Sequence, residues 1–584
     1  MFSRIVKLCL LAVMVGFSTT AAAEKEWVQT SNEIAMKVLD LQVKYVPEFA
    51  AAQGIEGYDE EIFDLKPNIT ERQNADARAM IEWLQSELEK QEHPLVRQDI
   101  EIMIKAQEDN ILSNDLQEKY LITYFNAPQA IFFGFNALLD KQVAAERKQA
   151  AVTRLRRYAG LEEGYEPITE LAKARISETF DKDLIGPFRG KVEQDLQRSP
   201  QIVAGIRAMF EGSELEGWEE PLALFEEQLA DYLEWVKAEV LPRSRDDARL
   251  PLPLYENSLR NWGVDADPQD LIRVASAAFL TIRNDMQALA ILVAEKNGYE
   301  VTDYRDVIRK LIDDQIPGDQ MLEYYTSVMA EIEVIVKREK LMTIPERPAV
   351  VRMGTEAETA AQPAPHMRPP RMIGNTGQYP EFVLPRLKPN EDGTWPKNDE
   401  GFKANAWTLS AHEARPGHEL QFSAMIENGV SIARITFAFN SANVEGWALY
   451  AELITKPYMP IEGQLISLQW RGVRAARMFL DPMLNLGLIQ PEEAKRFLME
   501  EVVVPEATAQ NEIERYTFRI PGQATAYYYG MTKLLEIRAE AEIMLGGKFE
   551  RLAFHDFILE QGMLPPAILR KAVMEQFVAP QLAE

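Results

Sequence analysis

Histidine is scarce in this chain, and two of its five histidines fall within one short stretch. His412 is followed at once by Glu413, and His418 comes six residues after His412. Two neutral imidazoles are good zinc ligands, and a carboxylate beside one of them can take a proton from a metal-bound water. These residue types in this order predict a hydrolytic site with one zinc ion per chain and with Glu413 as the general base.

The six-residue spacing needs a structural explanation, because the helical motif H-E-x-x-H places its histidines four residues apart on one face. On a regular helix, six residues turn through about 600°, which leaves the two rings about 120° apart. Proline disfavours helical geometry in the preceding residue, and glycine permits a tight path. Pro416 and Gly417 therefore predict a break that brings His418 back toward His412. On spacing alone, the alternative is an ordinary helix junction without a metal.

A third ligand is available on a later predicted helix. Glu445 lies 27 residues after His418, and its carboxylate would complete a His-His-Glu site with one position left open for water. Glu452 follows two turns later on the same face. It is either an acceptor for a ligand imidazole or a solvated charge.

The elements that must position these residues are mostly helices. Apolar residues recur at intervals of three and four over residues 24–340 and again over 401–584. The clearest helix runs from Leu271 to Lys296, with Asp267 as its predicted N-cap and Gly298 just past its end. Further helices are predicted near residues 78–91, 218–240 and 320–340. The fold class we predict is mainly α, a large helical fold of metallopeptidase type.

Residues 341–400 interrupt the helical pattern, since ten prolines fall between Pro345 and Pro396. This density excludes a helix. The segment is either a linker between two helical domains or a small β and loop element near the active site, with a short strand at Glu381–Leu384. The predicted division of the chain is 1–23 as signal peptide, 24–340 as an N-terminal helical domain, 341–400 as the proline-rich segment and 401–584 as a helical catalytic domain.

The first 23 residues have the features of an export signal: a basic start, a ten-residue apolar run and small residues at the end. The run is too short to span a bilayer, although a membrane anchor is the alternative. We expect a periplasmic protein, with full secretion as the other possibility, and no membrane contact after cleavage because no later segment looks apolar enough to span. The single cysteine, Cys9, lies inside the signal, so the mature chain has no disulfide.

The charge balance excludes some partners. Lys and Arg number 63 against 91 Asp and Glu, a net charge of −28, which argues against nucleic acid and against an anionic membrane surface. There is neither a glycine-rich phosphate loop nor a G-x-S-x-G turn for a serine nucleophile.

Three motifs, at residues 412–421, 445–452 and 519–527, occur together and in order. In this they resemble the DUF885 family, bacterial proteins of unknown function that are placed with the gluzincin-type metallopeptidases. Weaker similarity is present at residues 254–260. The resemblance implies a largely helical metallopeptidase fold, zinc, and hydrolysis of peptide bonds. Carried over residue by residue, it implies zinc ligands at His412, His418 and Glu445 and a general base at Glu413.

The resemblance also suggests residues that bind substrate. Tyr527 matches a family tyrosine and would donate a hydrogen bond to the oxyanion. If the match is shifted by one residue, Tyr528 has this role. The alternative is a packed aromatic patch. Arg519 and Arg538 flank this tyrosine in sequence and are candidates for holding a peptide carboxylate. The alternative is ion pairing with nearby glutamates.

One position departs from the family pattern. Many relatives carry Asp-x-Gly-x-His before the third motif, whereas this chain has Asp481, Met483 and Asn485 at the matching positions. An amide can donate a hydrogen bond but cannot shuttle a proton near neutral pH. The expected function is an exported zinc metallopeptidase acting on short or unfolded peptides. The alternatives are a metal-dependent amidase on a non-peptide amide and a non-catalytic binding scaffold.

Overall fold

The protein is mainly α-helical, as predicted. In a computed structural model that describes residues 25–140 and 143–583, 68% of residues are helical and 3% are in strands. The predicted signal peptide and Cys9 lie outside the described residues.

Ten helices lie in the described residues up to position 235. They are α1 (Glu26–Tyr45), α2 (Glu48–Gln53), α3 (Ile69–Lys90), α4 (Pro94–Tyr120), α5 (Ala127–Leu138), α6 (Ala145–Lys148), α7 (Ala150–Tyr158), α8 (Ile168–Ser177), α9 (Arg189–Glu211) and α10 (Glu219–Trp235). Helix α10 continues into a π-helical turn at Val236–Val240 and a 3-10 turn at Leu241–Arg243. The apolar faces of α5 and α7–α10 form one buried cluster that lies entirely within residues 51–240.

Four helices follow: α11 (Leu252–Asn261), α12 (Pro268–Asn297), α13 (Tyr304–Ile312) and α14 (Met321–Arg338). The predicted capping of α12 is confirmed, since the Asp267 side chain accepts a hydrogen bond from the Gln269 N–H and Gly298 adopts a φ of +67°. The helices predicted near 78–91, 218–240 and 320–340 are α3, α10 with its π turn, and α14.

Helix α12 also corrects one expectation. Among the described residues it is the one helix that is long and apolar enough, by length and composition, to cross a membrane. Core helices of soluble proteins pass the same test, and 33% of its most apolar window is buried, so this is weak evidence for a span. Its buried face packs against a later helix through Phe279, Ile282 and Met286.

The proline-rich segment forms a small three-stranded sheet. Its strands are β1 (Val350–Met353), β2 (His366–Arg368) and β3 (Glu381–Leu384), in the order β1-β3-β2, with β1 parallel and β2 antiparallel to β3. The predicted strand is β3, with the same bounds. The expectation that the segment contains no helix is wrong at α15 (Glu356–Ala361), which is free of proline and begins with a capping box from Thr355 and Glu358.

The remaining helices surround the predicted site. They are α16 (Lys403–Glu413), α17 (His418–Asn428), α18 (Ser441–Thr455), α19 (Ile461–Asn485), α20 (Pro491–Glu500), α21 (Glu506–Glu514), α22 (Ala526–Leu545), α23 (Arg551–Glu560), α24 (Pro566–Ala572) and α25 (Ala579–Ala583). Further π turns lie at Ala433–Phe437, Arg515–Arg519 and Val573–Val578, and 3-10 turns lie at Lys456–Tyr458, Gln523–Thr525 and Gly546–Lys548.

The buried clusters join residues on both sides of the proline-rich segment. In one, α14 and strand β3 pack with α16, α18 and α22–α24. In another, α11–α13 pack with α19–α21. The predicted domain limits at 340 and 400 stay a prediction, but in packing the helices from α11 onward share their cores with the C-terminal segment.

Candidate metal centre

The two histidines lie on different helices that meet at a sharp break. Helix α16 ends at Glu413 and α17 begins at His418, as the sequence predicted. The linking residues include a cis peptide bond between Arg415 and Pro416. Gly417 approaches the end of α16 so closely that a Cβ there would lie 1.8 Å from the carbonyl oxygen of His412. Only glycine fits this position, and the resulting turn brings the two imidazole ring centroids to 4.9 Å apart.

Glu445 on α18 completes the group. Its Oε2 atom lies 3.6 Å from Nε2 of His412 and 3.5 Å from Nε2 of His418. Among the described residues, these three form the group of His, Cys, Asp or Glu side chains that could hold a metal ion. Their ligand atoms all lie within 4.8 Å of one another. Two ligands bound to a tetrahedral zinc at 2.0–2.1 Å lie about 3.3 Å from each other. The spacing and the two-nitrogen, one-oxygen donor set therefore fit zinc.

Glu452 fixes the orientation of the first imidazole. Its Oε1 lies 2.7 Å from Nδ1 of His412, and its Oε2 accepts a hydrogen bond from the Thr408 hydroxyl at 3.0 Å. Because Nδ1 is held by this carboxylate, Nε2 is the nitrogen that faces Glu445. The structure thus gives Glu452 the buried acceptor role and not that of a solvated charge.

Buried charges set the electrostatics of the site. Burial acts to lower the pKa of His412, but its interactions with Glu445 and Glu452 raise that pKa to about 9. Burial acts to raise the pKa of Glu445, but His412 and His418 hold it well below its usual range. At neutral pH Glu445 therefore stays negatively charged beside an imidazole of His412 that keeps its proton, and a metal ion bound here would have to displace that proton.

The predicted general base is held by the small sheet. Oε2 of Glu413 accepts a hydrogen bond from the Met367 N–H of β2 at 2.9 Å, and Oε1 lies 4.0 Å from Nε2 of His412. The β element predicted near the site is therefore beside it. The strand that makes the contact is β2, which sequence reasoning missed because its three residues lie between prolines.

The other histidines have structural partners. His366 Nδ1 lies 2.9 Å from the Ala364 carbonyl oxygen. His93 accepts a hydrogen bond from the Leu95 N–H at the start of α4. The buried His555 contacts the Tyr450 hydroxyl.

Tyr527 lies among arginines on the buried side of α22. Its hydroxyl accepts a hydrogen bond from Arg515 Nη2 at 2.9 Å, and the guanidinium of Arg477 lies 4.7 Å from its ring centroid. Arg515 was not predicted, because nothing in its sequence context links it to a tyrosine twelve residues later. Tyr528 is half-buried, and Tyr529 is buried with its hydroxyl 3.3 Å from the Asp265 carbonyl oxygen.

The two predicted carboxylate-binding arginines have internal partners. Arg519 pairs with Glu514, and Arg538 pairs with Glu542 at 2.7 Å and donates to the Tyr450 hydroxyl at 2.9 Å. These are the ion pairs that the sequence offered as the alternative.

Asn485, which stands where many relatives have histidine, supports the third motif. Its amide donates to the Asp481 and Tyr516 carbonyl oxygens at 2.9 and 3.0 Å. Asp481 in turn accepts from the Gly522 N–H and from the Tyr255 hydroxyl. Burial raises the pKa of Asp481 to about 8. Asn485 therefore holds the loop that precedes Tyr527.

Comparisons with other proteins agree with this fold. A sequence model of a family described as "Bacterial protein of unknown function (DUF885)" matches residues 47–573. A "putative lipoprotein of unknown function" from Shewanella oneidensis has a similar structure, with a TM-score of 0.75, 18% identity, and coverage of 94% of this chain and 100% of that chain. A "putative lipoprotein" from Colwellia psychrerythraea has a TM-score of 0.72 and 17% identity, and the match covers 94% of this chain and 98% of that one.

At these identities the likeness shows the fold alone. A structure of "PZ peptidase A with inhibitor 2" aligns with a TM-score of only 0.24 at 13% identity over 89% of this chain and 96% of that one, which is too low to support any argument. Among curated proteins, none matches this chain.

Proposed function

The chain belongs to the DUF885 family, bacterial proteins of unknown function, and from that premise we propose that it is a zinc-dependent hydrolase that cleaves peptide bonds in short or unfolded peptides. The observation that carries the proposal is the convergence of His412, His418 and Glu445, with Glu413 directly after the first ligand. Zinc in such a site lowers the pKa of a bound water toward about 7 and polarises a carbonyl group.

Glu413 is the general base in this proposal. The Met367 N–H holds one of its oxygens, and the other lies on the side of His412 Nε2. With 18% of its side chain exposed, Glu413 is accessible to a water or substrate at the ligand cluster. It would take the proton from the attacking water and pass it to the leaving amine.

Tyr527 is the candidate oxyanion donor. Its oxygen accepts a hydrogen bond from Arg515, and among the described residues no acceptor takes its own hydroxyl proton, which can therefore be donated to a substrate. Arg515 and Arg477 near the ring also favour negative charge next to this hydroxyl. A donor of this kind stabilises the tetrahedral oxyanion that forms as water attacks.

Substrate size is proposed from the cavities. Two cavities have volumes of about 860 and 550 Å³ and are lined by residues from both the N-terminal and the C-terminal helices. Volumes of this order suit a few residues of peptide and not a folded domain. Rapid cleavage of intact folded proteins would contradict this part of the proposal.

We propose that the protein is exported, from its predicted signal peptide. Both structurally similar proteins carry a lipoprotein description, which agrees with export in that group.

The decisive experiment measures metal content and hydrolysis on one purified sample, with Glu413→Gln beside the wild type. We expect one zinc per chain in both proteins, hydrolysis of a mixed peptide library by the wild type, and loss of that hydrolysis in the variant. Glu506→Gln is the matched control, because Glu506 is an exposed glutamate whose partner is Lys495. Zinc without peptide hydrolysis would point to a non-peptide amide as substrate, and absence of zinc after reconstitution would exclude the proposed enzyme.

A further inference from the structure

Two residues that line a cavity of about 550 Å³ lie close in sequence to groups of the candidate metal centre. On β2, Met367 binds Glu413, and the next residue, Arg368, lines the cavity. On α17, Phe422 lines the cavity one turn after the ligand His418. Neighbouring Cα atoms are 3.8 Å apart and one helical turn rises 5.4 Å, so these two lining residues lie within one or two residues' length of groups at the site.

The wall is mostly apolar. Its large apolar side chains come from α2, α17, the π turn after α17 and three loops, and they are Phe49, Met372, Phe422, Ile435, Phe439 and Met563. The ionisable residues of the lining are Asp140, Arg368 and Arg371. Arg368 is neutralised by ion pairs with Asp140 at 2.8 Å and with Glu381 at 3.3 Å.

Arg371 differs from Arg368 because no carboxylate pairs with it directly. Among the described residues its guanidinium forms no hydrogen bond or ion pair. Burial, followed by the positive charge of nearby Arg147, lowers its pKa, whereas the more distant carboxylates of Asp140 and Asp59 act to raise it. A half-buried cation without a partner is costly, and an anionic ligand would remove that cost.

The backbone around Arg371 is fixed although its side chain is free. The Arg371 carbonyl oxygen accepts a hydrogen bond from Asn375 Nδ2 at 2.7 Å. The next turn packs on the end of α2, where a Cβ at Gly54 would lie 2.1 Å from the Ile373 carbonyl oxygen. The cation is therefore presented at a defined place in the cavity.

We propose that this cavity binds the carboxylate end of the peptide substrate, with Arg371 pairing with the carboxylate and the apolar wall receiving the adjoining side chain. This inference rests on the proposed peptide hydrolase and names its substrate class: peptides with an apolar residue next to a carboxylate, cut close to that end. The carboxylate is either the chain terminus or an acidic side chain, since both offer the same group to a guanidinium fork.

The test measures binding, so that it does not depend on turnover. Zinc-loaded Glu413→Gln protein is titrated by calorimetry with an acetylated alanine peptide ending in phenylalanine, as free acid and as C-terminal amide. A hydrogen-bonded charge pair predicts that the acid binds roughly 10- to 100-fold more tightly than the amide. A third peptide, amidated but with glutamate before the phenylalanine, distinguishes a side-chain carboxylate from the chain terminus.

Adding Arg371→Gln is expected to reduce the ratio of the two affinities to about one. Arg309→Gln is the matched control, because it removes an exposed guanidinium paired with Asp306 that lines none of the described cavities, and it should leave the ratio unchanged. Arg371→Lys keeps the charge without the fork and should lower the ratio at least threefold, which tests the site even if Arg371→Gln fails to fold.

Three results would overturn the proposal. The parent protein could bind neither peptide, or could bind acid and amide equally. The ratio of the acid and amide affinities could stay unchanged in both Arg371 variants, or it could be lost in Arg538→Gln instead. Zinc content and hydrolysis by the wild type report separately on the proposed function. A strong preference for the acid without hydrolysis would retain the cavity and reject the enzyme, whereas hydrolysis without that preference would do the reverse.

Discussion

Carboxyl groups buried in the N-terminal helices and at the candidate metal centre differ in charge. In the N-terminal helices, burial raises the pKa of Glu48 to about 7. Glu48 receives hydrogen bonds from the Phe63 N–H at 2.9 Å and from the Tyr158 hydroxyl, while its second oxygen has no hydrogen-bond partner in the part of the chain that the structure describes. The guanidinium of nearby Arg154 donates instead to the carbonyl oxygens of Gly134 and Tyr58.

At the metal centre, equally buried carboxylates face cations or imidazoles. Burial acts to raise the pKa of Glu452 and of Glu512, but His412 holds the first below its usual range, and Arg477 brings the second to about 2. Burial alone thus makes a carboxyl group neutral, and burial opposite a positive partner keeps it charged. The charge follows the partner and not the region, since burial also raises the pKa of Asp481 in the C-terminal helices.

The most severe test of this contrast removes a ligand. His418→Ala leaves two donors. Loss of a residue that only supports a ligand lowers metal affinity by up to roughly 100-fold, so loss of a ligand itself should lower zinc affinity by well over that factor. Hydrolysis should fall with it. Zinc content after dialysis against a chelator measures the effect. Normal zinc retention would mean that the ion binds elsewhere.

A backbone change at the helix break comes next. Gly417→Ala places a Cβ 1.8 Å from the His412 carbonyl oxygen, so we expect a loss of at least about 3 kcal/mol in the free energy of unfolding. Chemical denaturation measures it. Gly547→Ala is the matched control, since no atom lies within 4 Å of a Cβ at that site, and its effect should stay within about 0.5 kcal/mol. Similar stabilities of the two variants would show that the break is not tightly packed.

The raised pKa of Glu48, in the N-terminal helices, is tested by the pH dependence of the free energy of unfolding. Because the folded-state pKa of Glu48 is raised from about 4.5 to about 7, its contribution to stability is fully present below pH 4.5 and is lost as pH rises to 7. The loss is up to about 1.4 kcal/mol per pH unit across that window. Glu48→Gln cannot ionise, so relative to the wild type it should become more stable between pH 4.5 and 7. Parallel stability curves for the two proteins would contradict a raised pKa.

The smallest expected effect concerns the residue that orients His412. Glu452→Gln keeps the size of the side chain but weakens its hydrogen bond with Nδ1, and zinc affinity should fall by roughly 10- to 100-fold. Competition with a fluorescent chelator gives the value, with Glu506→Gln as control. An affinity equal to that of the wild type would make Glu452 a packing residue.

Much of the site could be predicted from sequence because its signals are local. The histidine–glutamate pair, the break at Pro416 and Gly417, and the caps of α12 depend on residues only a few positions apart. Strand β3 was predicted at its observed bounds for the same reason, since an apolar run between prolines is a local pattern. Helix α15 and strand β2 were missed because each is short and stands among prolines.

By itself, the sequence determined the helical class, the kinds of ligand atoms and the break that lets two histidines six residues apart converge. Only the tertiary structure decided that Glu452 supports His412, that Arg519 and Arg538 form internal ion pairs, and that β2 holds Glu413. The reason is physical: a cap or a turn is formed by neighbouring residues, whereas the partner of a buried charge comes from whichever distant helix packs against it. That choice depends on the whole core and leaves no signal in the local sequence.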